Sequence, residues 1–175
     1  MRILAISGSL RTASSNTTLL RAAIALAPKG VEIILYDGLS GLPHFNPDLE
    51  ESLQPAVMDF RARLQAAHGV LVSCPEYAHG VPGALKNALD WVVGSGEFVD
   101  KPVALLNAAP RATHAQASLR ETLTVMTARV VAEVSVAIPR SGKNLDEAEI
   151  ISNPAISGVL RSAIESLQRE MREIP

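Results

Sequence analysis

Two stretches of this chain concentrate the residue types that bind small ligands. The first, SGSLRTASSN at residues 7 to 16, carries hydroxyls at Ser7, Ser9, Thr12, Ser14 and Ser15, an amide at Asn16 and a single charge at Arg11, around the turn glycine Gly8. It closes a short apolar run and opens a helical pattern. Free backbone N–H groups and the positive end of the helix dipole make such a place a ready anion site. Ser9, Ser14, Ser15 and Asn16 would add short polar contacts, and Arg11 a forked cationic donor. The same hydroxyls serve equally well as helix caps.

Several kinds of anion chemistry are excluded by spacing. The chain has no G-x-x-x-x-G-K-[ST] and no G-x-G-x-x-G, so neither a P-loop nor a dinucleotide fingerprint is present. A phosphatase loop would place Arg six positions after its cysteine, where Gly80 follows Cys74. A phospho-receiver would need acids after the first strand and an Asp ending the third, where the chain has Ser7-Gly8-Ser9 and Cys74. No G-x-S-x-G elbow occurs. What remains is a terminal phosphomonoester held as a handle.

The second stretch is PEYAHGVPGALKNALDW, residues 75 to 91. Pro75, Gly80, Pro82 and Gly83 are dense backbone punctuation, suited to a main chain lying against a flat ligand with N–H groups aimed at its polar edge. Tyr77 is one of two tyrosines and stands where a ring could pack beside that ligand. Pro82 is expected at the first position of the next helix. Beyond it, Leu85, Leu89 and Val92 read as core, Lys86 and Asp90 as a surface pair at i and i+4, and Trp91 as packing.

The elements that must position these stretches alternate strand with helix. Arg2–Ser7, Val31–Tyr36, Gly69–Cys74, Pro102–Asn107 and Val130–Ile138 are short Val/Ile/Leu-rich runs bounded by turn residues. The first four are nearly continuous, as expected of strands buried on both faces of a parallel sheet. Amphipathic helices lie between them, marked by Leu20/Ala23/Ile24/Ala27, Val57/Phe60/Leu64/Ala67, the 85–92 stripe and Leu119/Leu123/Met126, with a long fifth from Ile156 to Met171. Residues 37–52 and 139–153 read as longer loops. The expected fold is α/β: a single flavodoxin-like, doubly wound domain over residues 1–175, its five-stranded parallel sheet ordered 2-1-3-4-5 with helices on both faces. Its ligand would sit at the switch between strands 1 and 3. Gly8–Asn16 and Pro75–Val81 would lie side by side there, with Ala108–Thr113 next to them.

The composition agrees with one aliphatic-cored domain: 175 residues, 47 % apolar and 3 % aromatic. Sixteen basic against eighteen acidic residues give a net charge of −2 without a basic tract, so no nucleic-acid or membrane footprint is expected. No secretory leader is read at the N-terminus, and the expected setting is cytoplasmic. Cys74 stands alone, most simply as a buried strand residue, and His44, His68, His79 and His114 lack metal-ligand spacing, so no metal is expected.

Taken together, the two stretches resemble the NADPH-dependent FMN reductase family of flavodoxin-like quinone, azo-compound and chromate reductases. The carrying residues are Gly8, Ser9, Arg11, Ser14 and Asn16, then Pro75, Glu76, Tyr77, Pro82, Gly83, Leu85, Lys86, Asn87, Asp90 and Trp91. The resemblance implies that the first loop holds the FMN phosphate, with Ser9, Arg11, Ser14 and Asn16 as the matching positions and the Ser15 hydroxyl beside them. It places Pro75, Glu76 and Tyr77 along the isoalloxazine ring, with Ala78, His79 and Gly80 at its edge. Many members carry Asn after the Glu-Tyr pair where this chain has Ala78, so backbone groups or His79 take over that contact. The implied activity is flavin-mediated and needs no catalytic side chain. Hydride passes from NADPH or NADH to FMN and on to a small acceptor such as a quinone, an azo compound or free flavin, in a homodimer or homotetramer. A flavodoxin-type electron carrier and a non-enzymatic binding protein are the alternatives. Arg111 and His114 read as solvated surface residues.

Overall fold

The computed structural model describes residues 1–52, 54–136 and 146–173. Strands β1 (Arg2–Ser7), β2 (Glu32–Tyr36), β3 (Gly69–Ser73), β4 (Pro102–Asn107) and β5 (Arg129–Ser135) form one parallel sheet in the order β2-β1-β3-β4-β5. The expected order is therefore observed, and the chain reverses its direction of winding between β1 and β3. Residues 137 and 138, expected to extend the last strand, lie outside the described residues.

The apolar runs are continuous because both sheet faces are covered, and the pleat sorts each strand's residues between two cores. Leu4, Ile6, Val70, Val72, Val103 and Leu105 face one side. There they meet Phe60 and Leu64 of α2 (Pro55–Ala66), Leu85 and Leu89 of α3 (Gly83–Asp90), and Leu119 and Leu123 of α4 (His114–Val125). Ile3, Ala5, Leu71, Ala104 and Leu106 face the other. They pack on α1 (Ser15–Ala25), α5 (Glu147–Ser152) and α6 (Pro154–Arg172) through Leu19, Leu20, Ile150, Leu160, Ile164 and Leu167. β2 departs from the expectation of burial on both faces: it is an edge strand, and Ile34 and Leu35 are only half-buried.

Three local outcomes differ from the sequence reading. The stretch expected as a loop up to Asn153 contains α5, held by a capping box in which Asp146 accepts from Glu149 N and Glu149 from Asp146 N, at 2.8 Å each. Residues 139–145 of that stretch lie outside the described residues. Pro82 caps α3 from outside its first turn: its ψ is extended at 137° while its carbonyl already accepts from Lys86 N. The long 37–52 connection carries 3-10 turns at Leu39–Gly41 and Pro47–Ser52.

That connection is fastened to α3. Asn87 Oδ1 accepts from Phe45 N at 2.8 Å, and Asn87 Nδ2 and Trp91 Nε1 both donate to Pro43 O. The Trp91 and Phe45 rings meet edge to face at 5.2 Å. Trp91 is buried, so its role is packing as expected, and Lys86 and Asp90 form the expected surface pair at 2.5 Å.

Tyr36 ends β2 inside the core beside Phe60, with ring centroids 4.9 Å apart. Burial, reinforced by Asp59, pushes its phenol up to about 12 against the opposing pull of Arg63. The fold therefore favours the neutral phenol, and this contribution is intact below pH 10 and lost as pH rises from 10 through about 12. Urea titrations across that window should show stability falling more steeply for wild type than for Tyr36→Phe. Equal slopes would exclude Tyr36 as a source of the alkaline sensitivity.

Candidate functional site

The loop after β1 is built from its own hydroxyls. Gly8 N donates to Ser73 O at 2.8 Å, extending the β1–β3 pairing by one rung. Ser7 Oγ accepts from Ser9 N, and Ser9 Oγ accepts from Arg11 N, both at 3.3 Å, so each serine holds the backbone two residues ahead. Ser7 Oγ also shares a 2.8 Å hydrogen bond with Thr17 Oγ1. Ser14 is the N-cap of α1, accepting from Thr17 N, and Ser15 is that helix's first residue. Asn16 is buried, and its Oδ1 accepts from Ser73 Oγ at 2.9 Å, tying the start of α1 to the end of β3.

Ser9, Ser14 and Asn16 thus come together as expected, and each is buried and shapes the loop. Arg11 differs. It is exposed, and among the described residues no carboxylate lies within ion-pair distance of it. The first turn of α1 carries no acid. An unpaired guanidinium beside an acid-free helix N-terminus is a donor set suited to a phosphate.

The loop after β3 lies against the first. A Cβ added at Gly8 would stand 3.0 Å from Leu85 Cδ2 and 3.2 Å from Pro75 Cδ, so the two loops approach closely there and a side chain would crowd both neighbours. Tyr77 and Gly80 exchange backbone hydrogen bonds of 3.1 and 3.0 Å around Ala78 at φ 48° and His79 at φ 61°. Two consecutive left-handed residues closed this way form a type I′ turn, which ordinarily uses Asn and Gly. Glu76 turns away from the loop, accepting from Ala115 N of α4 with Oε2 at 2.8 Å. His79 stacks on His114, ring centroids 4.2 Å apart and planes within 15°. His114 is exposed, as expected of a surface residue, and its ring also contacts this loop.

Cys74 is buried just past β3, its Sγ–H directed at Pro75 O. Burial, with Glu76 nearby, pushes its thiol up to about 12. A thiol held neutral to that degree is a packing residue.

Between the two loops lies a cleft of about 360 Å³ lined by Gly8, Leu10, Arg11, Tyr77, Pro82, Gly83 and Ala84. Leu10 and Tyr77 present exposed apolar walls, and a Cβ at Gly83 would meet nothing within 4 Å. Arg11 of the first loop and Tyr77, the residue that begins the left-handed turn, both line it. The third loop is held by Asn107, whose Nδ2 donates to Ala112 O and whose Oδ1 accepts from Ala109 N, both at 2.9 Å. Arg111 on that loop is exposed. Among the described residues no three His, Cys, Asp or Glu side chains gather as a metal site, and no helix is long and apolar enough to cross a membrane.

Comparison with known proteins places these features. The profile of the NADPH-dependent FMN reductase family matches residues 1–143. An NAD(P)H-dependent FMN reductase of Pseudomonas aeruginosa is 33 % identical over 180 aligned positions, covering 99 % of this chain and 97 % of the relative. An NADPH:quinone oxidoreductase of Arabidopsis thaliana is 42 % identical over 112 positions, which span 61 % of this chain and 57 % of that protein. Among solved structures, the flavoenzyme NAD(P)H:(acceptor) oxidoreductase FerB of Paracoccus denitrificans superposes with a TM-score of 0.77 at 24 % identity, covering 97 % of this chain and 98 % of that one, and so shares the fold.

The turn makes a stability prediction. Ala78 occupies the left-handed region, which costs an L-residue without a short polar side chain about 1–2 kcal/mol. Asn tolerates that region, so Ala78→Asn should stabilise the protein by about 0.5–1 kcal/mol. Thermal or urea unfolding of the flavin-free protein would measure it. A variant no more stable than wild type would mean that the turn relaxes elsewhere in solution.

Proposed function

The chain belongs to the NADPH-dependent FMN reductase family, and on that premise we propose that it is an FMN-dependent NAD(P)H oxidoreductase whose acceptor is a quinone or another small electron-accepting molecule. The observation that carries the reading is Arg11, unpaired among the described residues, close in sequence to the acid-free start of α1 and lining one cleft with Tyr77, which begins the left-handed turn.

Arg11 and the N-terminus of α1, which begins at Ser15, hold the phosphate, within a loop whose shape Ser9, Ser14 and Asn16 maintain. Pro75 and Tyr77 border the ring, the Glu76 carboxylate being engaged by Ala115 N, and the backbone from Ala78 to Gly80 meets its polar edge. FMN, when bound, supplies the two-electron carrier between NAD(P)H and the acceptor. The protein's work is to bind and orient: Leu10 and Tyr77 flank the cleft with apolar surface, and Gly83 leaves room above α3.

This arrangement suits small planar acceptors, since the cleft offers apolar walls and few polar groups for selecting among them. The same reading includes a homodimer or homotetramer working in the cytoplasm, without nucleic-acid or membrane partners. Exposed Leu10 and Tyr77 beside the cleft favour coverage by a second copy, and the single buried cysteine suits a reducing compartment.

Adding the purified protein to FMN should quench flavin fluorescence, and the complex should oxidise NADPH or NADH when a benzoquinone is supplied. Arg11→Ala removes charge-assisted hydrogen bonds worth about 1.5–3 kcal/mol, so the Kd for FMN should rise by roughly 10- to 150-fold. Absence of flavin binding sinks the proposal. Binding without NAD(P)H oxidation transfers support to an electron carrier, and an unchanged Kd in Arg11→Ala removes that residue from the phosphate site.

A further inference from the structure

The Tyr77–Gly80 turn holds two residues with Cβ atoms in the left-handed region, and such conformations persist only where the surroundings over-determine them. The turn's own two hydrogen bonds link Tyr77 and Gly80 and leave the direction of the whole loop free. Two further contacts fix it, and both reach the first turn of α4. Glu76, immediately before the turn, accepts from Ala115 N at 2.8 Å, and His79, inside it, stacks on His114 at 4.2 Å.

The need is mutual. Thr113, the N-cap residue of α4, makes no side-chain capping bond, so Ala115 N is satisfied by a carboxylate from another element. That carboxylate accepts at the N-terminal end of α4, where the helix leaves backbone N–H groups without an internal partner. The bond therefore caps a helix and anchors a loop at once, through residues 39 positions apart in the chain.

We propose that Glu76 is a positioning residue: through Ala115 N, with the His79–His114 stack beside it, it clasps the strained turn to α4 and so presents the backbone of residues 78–80 to the flavin ring. The inference rests on the reading that this turn borders FMN. It reassigns Glu76 from contact with the ring to control of the loop that makes the contact. The clasp also ties the loops after β3 and β4 into one unit, because Ala112 and Ala109 are already held by Asn107.

The test uses the full-length protein as wild type, Glu76→Ala, Glu76→Gln, Ala115→Pro and the Glu76→Ala/Ala115→Pro double variant. Proline is tolerated in a first helical turn and removes the same hydrogen bond from its donor side, so the bond can be probed even if Glu76→Ala does not fold. Amide exchange is read in the flavin-free protein at Tyr77 and Gly80 in every variant and at Ala115 where that residue is retained, and the Kd for FMN by fluorescence quenching. Loss of a charge-assisted bond should raise exchange at Gly80 and weaken FMN binding by about tenfold or more in Glu76→Ala and in Ala115→Pro. Glu76→Gln, which keeps an acceptor oxygen, should stay within about threefold of wild type, and the double variant should be no worse than the weaker single one. Unchanged exchange at Gly80, unchanged FMN affinity despite faster exchange, a Gln variant as poor as Ala, or additive single effects would each overturn the proposal. If wild type does not bind FMN at all, the functional reading fails separately, and the exchange data alone decide whether the clasp holds the turn.

Discussion

The pairing of β1 with β3 is the constraint from which the site follows. Their register runs from Ile3 opposite Gly69 to Ser7 opposite Ser73, and Gly8 N adds one more bond to Ser73 O. Because β1 leads to β2 at one edge of the sheet and β3 leads to β4 toward the other, the connections leaving this pair diverge and open a space between their two loops at the carboxyl edge. A ligand site is the space that remains. Ser73 is fully buried and its hydroxyl reaches Asn16, so the last rung of the pair also fixes where α1 begins. A shift of that register would move the helix start, the serine-held loop and the cleft together.

The hydroxyls of the first loop are occupied within the structure, and that occupation is what makes the loop useful. A serine whose oxygen is committed to Arg11 N or Thr17 N sets backbone direction, and a preset backbone loses little freedom when an anion arrives. Sequence alone left capping and ligand binding as rival readings of these residues. In the fold they describe one arrangement, with Ser14 as cap, Ser9 as brace, and Arg11 left as an exposed charge.

Much of this was legible because its signals are local. Strand periodicity, helix stripes and the order of five βα units depend on neighbours in the chain, and the sheet order follows from them through crossover handedness. What was missed depends on partners distant in sequence or on very short elements. The α5 helix has six residues and one buried side chain, so it makes no stripe, although Asp146 and Glu149 at capping-box spacing did mark its start. Asn87 and Trp91 belong to the stretch that carries the family resemblance, yet they hold Pro43 and Phe45, more than forty residues back. No pattern in the sequence announces that pairing.

The second loop shows most plainly how a composition that looks unfavourable can still specify a structure. Ala78 and His79 are poor residues for a type I′ turn on backbone preference alone, and a reading confined to residues 77–80 would not place a tight turn there. Local preference is overruled because the loop is held at both of its approaches. Pro75 lies against Gly8 on one side, and Glu76 and His79 engage α4 on the other. The strain is thus carried by contacts to two separate elements, β1's loop and α4, each seated on the same sheet edge. A turn fixed in this way presents its backbone groups from a position that its own sequence would not select, and it does so because β1, β3 and β4 are neighbours.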